Sequence, residues 1–315
     1  MITRTLSRAK IVQILFAYYK NEGKTMLMVE KELLFSLQKT YDLYHFLLQL
    51  AVEITNYAEE RIDFAKNKLL PTAEELNPNT RFIDNAFVRQ LDTNTQLRDY
   101  IANNKISWGE HEDIVKDIYS NIVESTYYDD YMTSEENDYQ KDKQLWRKIF
   151  DKIVLNNETL NDTLEEMSIY WVNDIEIVES FVVKTIKRFE EGEGADQKLL
   201  PMFNGDDDLQ FAKKLLSQSI KNGEEYHALI NEHIKNWEFD RLAYMDTIIM
   251  QTALAELLSF PTIPISVTLN EYIDIAKGFS TEKSAQFING VLDKVVDLLK
   301  KENKLIKAVL LSDKK

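Results

Sequence analysis

The sequence predicts an all-α protein, and three observations carry that prediction. Eight glycines and five prolines in 315 residues are too few for the turns that sheets and phosphate-cradling loops require. From Met28 to about Lys68 there is neither Gly nor Pro, and apolar residues recur at helical spacing through Leu33, Leu37, Tyr41, Tyr44, Leu48, Val52 and Tyr57. Residues 267–294 read as two helices meeting at a tight corner. Val267, Ile273, Ala276 and Phe279 form the first stripe, Ser280 or Thr281 offers a capping oxygen, and Phe287, Ile288, Val291 and Leu292 form the second. Gly290, inside the second helix, permits a close helix contact.

Residues 4–20 form one helix with two apolar stripes, Ile11, Ile14, Leu15 and Tyr18 on one side and Val12, Phe16 and Tyr19 on the other. A helix apolar almost all round belongs between two packing layers. One or two long helices follow up to residue 68, and Leu70–Arg81, with Pro71 and Pro78, is a linker. Ser107 and Trp108 open a further helix that runs to Ser125, and the acidic, aromatic stretch Tyr127–Tyr139 reads as a turn whose rings pack at a helix junction. Positions 145, 149, 150, 158, 160, 164, 171, 174, 182 and 183 pair with positions of similar character 66 residues later. Either a helical unit is duplicated, or amphipathic helices of equal length match by chance. Between the copies Glu190–Asp208 is a loop, and Asp206, Asp207 and Asp208 are first-turn acids of the next helix; calcium needs more oxygen ligands at loop spacing.

A length of 315 residues holds one large or two ordinary domains, and 44% hydrophobic content is ample for a core. The absence of cysteine excludes disulfides, thiol nucleophiles and Cys-ligated zinc, and leaves the cytoplasm as the expected compartment. The apolar run Ile11–Tyr19 is interrupted by Gln13, so it is read as a helix and not as a membrane span. Net charge is −15 overall, but residues 1–24 and 277–315 each carry +4, which leaves −23 on the middle. Such a chain repels nucleic acid over its body and attracts it only at its basic ends. His45, His111, His227 and His233 form no metal-ligand pair, and paired acids such as Glu59–Glu60 point to different faces of a helix. No nucleophile, base and orienter stand at a meaningful spacing, so no catalytic residue, metal or cofactor is expected.

The order Asn270-Glu271, Ala276-Lys277, Phe279, Glu282, Ser284, Phe287, then Asn289-Gly290-Val291-Leu292-Asp293-Lys294 resembles the C-terminal signature of the NusB family of bacterial transcription antitermination factors. Trp237-Glu238-Phe239-Asp240-Arg241-Leu242, Asp246 and Glu256-Leu257 are similar to the family's preceding helix. At the other end, Arg4, Arg8, Gln13, Leu15 and Phe16 match its Arg-rich first helix, although Thr5 and Leu6 stand where members often carry more arginine. The resemblance covers 4–20 and roughly 208–294, so the expected fold is NusB-like helical bundles with a large additional helical region. The expected boundaries are 1–24 for the first core helix, 25–205 for the elaboration (with a possible repeat of the core unit at 144–190), 206–300 for the C-terminal core and 301–315 for a basic tail.

The resemblance implies a non-catalytic transcription antitermination factor that binds boxA-type RNA together with NusE, a small-subunit ribosomal protein, within the transcription elongation complex. RNA contacts are expected at Arg4, Arg8, Lys277, Lys283, Ser284 and Phe287, along one rim built from the first helix and the Ser280 corner, where a helix starting near Thr281 offers free N–H groups; Lys283 departs from the family, whose members often carry an acid there, and is expected to strengthen phosphate attraction. The resemblance implies partner contacts at Phe16, Asp240 and Asp246. Local readings stand beside these: Asp240 as a helix N-cap, Phe287 as core rather than a base-stacking ring. A helical interaction scaffold that has lost RNA binding is the alternative for the whole chain, consistent with its acidic middle.

Overall fold

The computed structural model describes residues 1–21, 23–234 and 243–307, and every regular element among them is helical. In chain order the helices are α1 (Arg4–Lys20), α2 (Met26–Lys66), α3 (Ala73–Leu76), α4 (Ala86–Thr93), α5 (Thr95–Asn104), α6 (Glu112–Val123), α7 (Thr126–Thr133) and α8 (Tyr139–Ile149). There follow a π-turn (Phe150–Val154), α9 (Glu158–Met167), α10 (Ile175–Arg188), a 3-10 segment (Glu191–Asp196), α11 (Asp206–Lys221), α12 (Gly223–Ile234), α13 (Tyr244–Ser259), α14 (Ile265–Phe279) and α15 (Glu282–Lys301). No described helix is long and apolar enough to cross a membrane.

The chain divides into two compact units, one formed by Met1 with Gln38–Met202, the other by Ile2–Leu37 with Phe203–Lys315. In the second unit α13 is the hub, packed against α1, α11, α12, α14 and α15. Its sequence explains this position. Ile248, Ile249, Met250, Ala253, Leu254, Ala255 and Leu257 point in every direction around the helix and all are buried. The first helix behaves alike: Leu6, Ile11, Val12, Ile14 and Leu15 are buried, and α1 packs against α11, α13 and α14. Thr3 caps it by accepting from the Leu6 N–H. The corner between α14 and α15 is closed by Thr281, the N-cap, whose hydroxyl accepts the Ser284 N–H at 3.1 Å.

The first unit is organised along the Gln38–Lys66 part of α2, a single helix with no break. Trp108 stacks on Phe46 with centroids 3.9 Å apart, and its indole N–H donates to the Phe46 carbonyl; Trp171 donates likewise to the Lys39 carbonyl. Residues 107–111 fold as a turn around the buried Trp108, so the helix expected from Ser107 starts at Glu112. The stretch expected to be a turn at 127–139 is largely α7. Ser125 caps it through the Tyr128 N–H, and Tyr131 is drawn inward by a hydroxyl bond to Asp142 at 2.6 Å. Within the expected linker, Thr72 and Glu75 form a reciprocal capping box around one turn of helix. The 66-residue offset maps α8, α9 and α10 onto α11, α12 and α13. Several matched apolar positions are buried in both sets, as with Leu145 and Phe211, Leu160 and Tyr226, Val182 and Ile248, whereas Val183 is half-buried where Ile249 is buried, and Trp237, the match of Trp171, lies outside the described residues.

Glu179 of α10 is buried with neither carboxyl oxygen hydrogen-bonded. Burial, reinforced by Glu176 and Asp151, raises its pKa from the ordinary 4.5 to about 8. The carboxyl is therefore neutral in the fold at pH 7, while the unfolded chain releases its proton above pH 4.5. Stability is full below that value, falls as pH rises by about 1.4 kcal/mol per unit, and levels off above pH 8. Glu179→Gln is expected to remove this slope in denaturant titrations between pH 5 and 8; an unchanged slope shows that another group sets it.

Candidate nucleic-acid interface

Two clusters in the second unit contain the described residues that the sequence marks for binding. The first surrounds Arg8. Its guanidinium donates from Nε to Glu256 Oε2 at 2.7 Å and from Nη2 to Glu256 Oε1 at 2.9 Å, and Nη1 lies 3.3 Å from Glu271. Glu256 also accepts from the Thr268 hydroxyl at 2.8 Å and from the Tyr272 phenol at 3.2 Å. Burial, and then the negative Glu256, push the Tyr272 phenol well above its ordinary pKa, so it stays a donor. Arg8 is 3% exposed and Glu256 fully buried. This corrects the expectation of an exposed Arg8 on an RNA-facing rim, because both carboxylate partners come from distant helices that cover it. Arg4, one turn earlier, is exposed, pairs with Asp208 at 3.3 Å and shares the Phe211 ring with Arg8, at 5.2 and 5.1 Å respectively.

The second cluster lies where α13 begins and α14 ends. Asp246, in the first turn of α13, is buried and accepts from the Ser280 hydroxyl at 2.7 Å. Ser280 in turn lies 2.9 Å from the Ser284 hydroxyl, which is also 3.0 Å from Thr281, so Ser284 is engaged in the corner. Lys277 is exposed and pairs with Asp274; Lys283 is exposed and makes no ion pair among the described residues; Phe287 is half-buried. Phe16 is half-buried and meets Tyr244 edge-on at 5.7 Å. Lys20, exposed in the last turn of α1, lies 4.5 Å from the Tyr244 ring and 5.8 Å from Phe16. Asp240 lies outside the described residues.

These contacts order the unit. Arg8 meets the end of α13, Phe16 and Lys20 meet its start, and α14 runs back so that Thr268 faces Glu256 while Ser280 faces Asp246. Ten residues of α13 separate Asp246 from Glu256, roughly 15 Å at 1.5 Å per residue. Arg4 and the Lys283 corner therefore sit at opposite ends of the helix pair, which corrects the expected single rim. The Lys283 end brings Phe16, Lys20, Tyr244 and the cap of α15 together. Lys20 and Tyr244 were not singled out by spacing; the signal available was the position of Lys20 four residues after Phe16, on one helix face.

Residues 183–297 match the NusB family. The transcription antitermination protein NusB of Salinibacter ruber is 36% identical over 121 residues, a match that spans 36% of this chain and 76% of that relative. The chain belongs to the NusB family. NusB of Clostridium botulinum is 31% identical over 157 residues, half of this chain and 98% of the relative, and NusB of Chloroherpeton thalassium is 38% identical over 98 residues, 31% of this chain and 46% of the relative. No solved structure matches. The family match holds Asp240, Asp246, Lys277, Lys283, Ser284 and Phe287, whereas Arg4, Arg8 and Phe16 precede it.

The buried Asp246 separates a structural contact from a surface one. Asp246→Lys is expected to cost about 3 kcal/mol or more, since it buries an unmatched cation beside Ser280, whereas Asp246→Asn keeps an acceptor and costs about 1 kcal/mol. Urea unfolding checks this; a lysine variant that unfolds with the parent places the carboxylate on the surface.

Proposed function

We propose that this NusB-family chain is a transcription antitermination factor of the cytoplasm, which binds boxA-type RNA together with NusE in the elongation complex and performs no catalytic step. Family membership is the observation that carries the reading. The exposed cations at the α14–α15 corner support it, because they stand on an otherwise acidic chain. In this proposal Lys277 and Lys283 neutralise phosphates, the free N–H groups at the start of α15 add positive dipole, and Phe287 receives a base. Ser284 contributes from the cap, and Arg4 meets the strand at the far end of the α13–α14 pair. Arg8 serves from inside, by holding α1 in place. NusE is assigned to the start of α13, where Phe16 and Asp246 stand, with Asp246 bracing the surface rather than forming it, and Asp240 is assigned to the same partner from the sequence alone.

One observation favours the scaffold reading: Arg8, half of the first helix's arginine pair, is spent on a buried ion pair. A titration of labelled boxA RNA and a scrambled strand, with and without NusE, separates the two. The proposal expects preference for boxA that NusE strengthens, and Lys283→Glu is expected to weaken every RNA and lower the salt slope by about 0.7, the contribution of one single-strand phosphate. Equal binding of both strands in saturating NusE gives the chain to the scaffold reading.

A further inference from the structure

Residues 38–202 carry 33 acidic against 18 basic side chains, a net of −15, so the whole formal charge of the chain rests on the first unit and the second unit balances. Part of that charge is gathered on one open face of α2. Gln49, Glu53, Asn56, Glu60 and Phe64 recur every three or four residues, which sets them within about a quarter of the helix circumference. Two hollows adjoin at this face and share Glu53 and Asn56. One, of about 340 Å³, lies between α2 and the start of α6, with Glu60, Glu112 and Lys116 on its walls; the other, of about 220 Å³, lies between α2 and α5, with Asp92 and Arg98. Both cations are already committed, Lys116 to Glu112 at 3.2 Å and Arg98 to Asp92 at 3.4 Å. The walls therefore keep a net of −2, on Glu53 and Glu60, neither of which has an ion pair among the described residues. Arg61 lies over the Tyr57 and Tyr119 rings and lines neither hollow. Burial pushes the Glu53 carboxyl above its ordinary pKa against the one hydrogen bond from Gln49 at 3.0 Å, and the nearby Asp92 and Glu60 push it further, so a cation is what this position lacks. Phe64, one turn beyond Glu60, is 75% exposed and ends the stripe on a ring left largely in water.

We propose that this face of α2 is a docking groove for a basic amphipathic helix of another protein. The inference is independent of the RNA-binding reading above. Gln49 and Phe64 are fifteen residues apart, roughly 22 Å along α2, so a partner helix of about that length laid on the stripe sets lysine or arginine side chains over Glu53 and Glu60 and, one turn on, an apolar side chain against Phe64. Charge selects this occupant. A phosphate backbone meets a net negative wall whose two cations are paired, and a second copy of the unit brings the same −15 to the groove.

The test measures fluorescence anisotropy of labelled synthetic peptides titrated with the full chain. Three probes of about sixteen residues are used, the length that covers the stripe: lysine and leucine at helical spacing, the same composition scrambled, and glutamate in place of lysine. The first is expected to bind and the other two are not. Changing Glu53→Gln and Glu60→Gln together is expected to weaken it roughly three- to tenfold at low salt and to flatten its salt dependence. Phe64→Ala is expected to weaken it by roughly tenfold with the salt dependence kept, and neither variant lowers the unfolding midpoint. Glu165→Gln with Glu166→Gln, an exposed pair on α9, is expected to leave the affinity unchanged and controls for net charge. No binding of the first peptide, equal binding of the scrambled one, or equal loss in the α9 control overturns the groove. Single-stranded RNA binding that Phe64→Ala weakens gives the face to nucleic acid and overturns it as well.

Discussion

The buried pair of Arg8 and Glu256 joins three helices of the second unit, and it sets how α1 lies against α13 and α14. Arg8 comes from α1, Glu256 from α13, and the groups that complete the network, Thr268, Glu271 and Tyr272, come from α14. Taking two charges from water costs several kcal/mol per ion, so such a pair survives only when its hydrogen bonds are complete. Here they are. The two oxygens of Glu256 receive Nε and Nη2 of Arg8, the Thr268 hydroxyl and the Tyr272 phenol, which fills the four acceptor positions of a carboxylate. Geometry this demanding sets where α1 lies along α13, and hence that Phe16 and Lys20 reach Tyr244 at the other end.

How much of this was legible in the sequence depends on the range of the interaction. Periodicity is local, and it placed α1 at its observed bounds, made 267–294 a capped corner, and put Asp206, Asp207 and Asp208 in a first turn. The all-helical class follows from the same pattern. Burial of a charge is not local. Glu256 lies 248 residues from Arg8, and an arginine beside an exposed Arg4 carries no mark of which one is covered. Asp246 was misread as a surface group for the same reason, its acceptor role being set by Ser280 on another helix. The stretch 127–139 failed differently: its acids and tyrosines suggested a turn, yet with a Ser125 cap and an inward Tyr131 it winds into helix.

The remainder of the chain builds a core of its own. Indole and amide side chains tie its loops to backbone carbonyls, as with Trp108 on Phe46, Trp171 on Lys39, and Asn94 on Gln197 at 2.7 Å. Lys143 is buried and donates to the carbonyl of Phe189, so even cations are used as fasteners there.

A double-mutant cycle on Arg8 and Glu256 tests the central claim most directly. With Arg8→Met, Glu256→Leu and the pair together, urea unfolding is expected to show each single change costing about 3–5 kcal/mol and the double change far less than their sum, since it leaves no buried charge alone. Strictly additive losses, or an Arg8→Met protein that unfolds with the parent while losing RNA affinity, would return Arg8 to the surface and contradict the account.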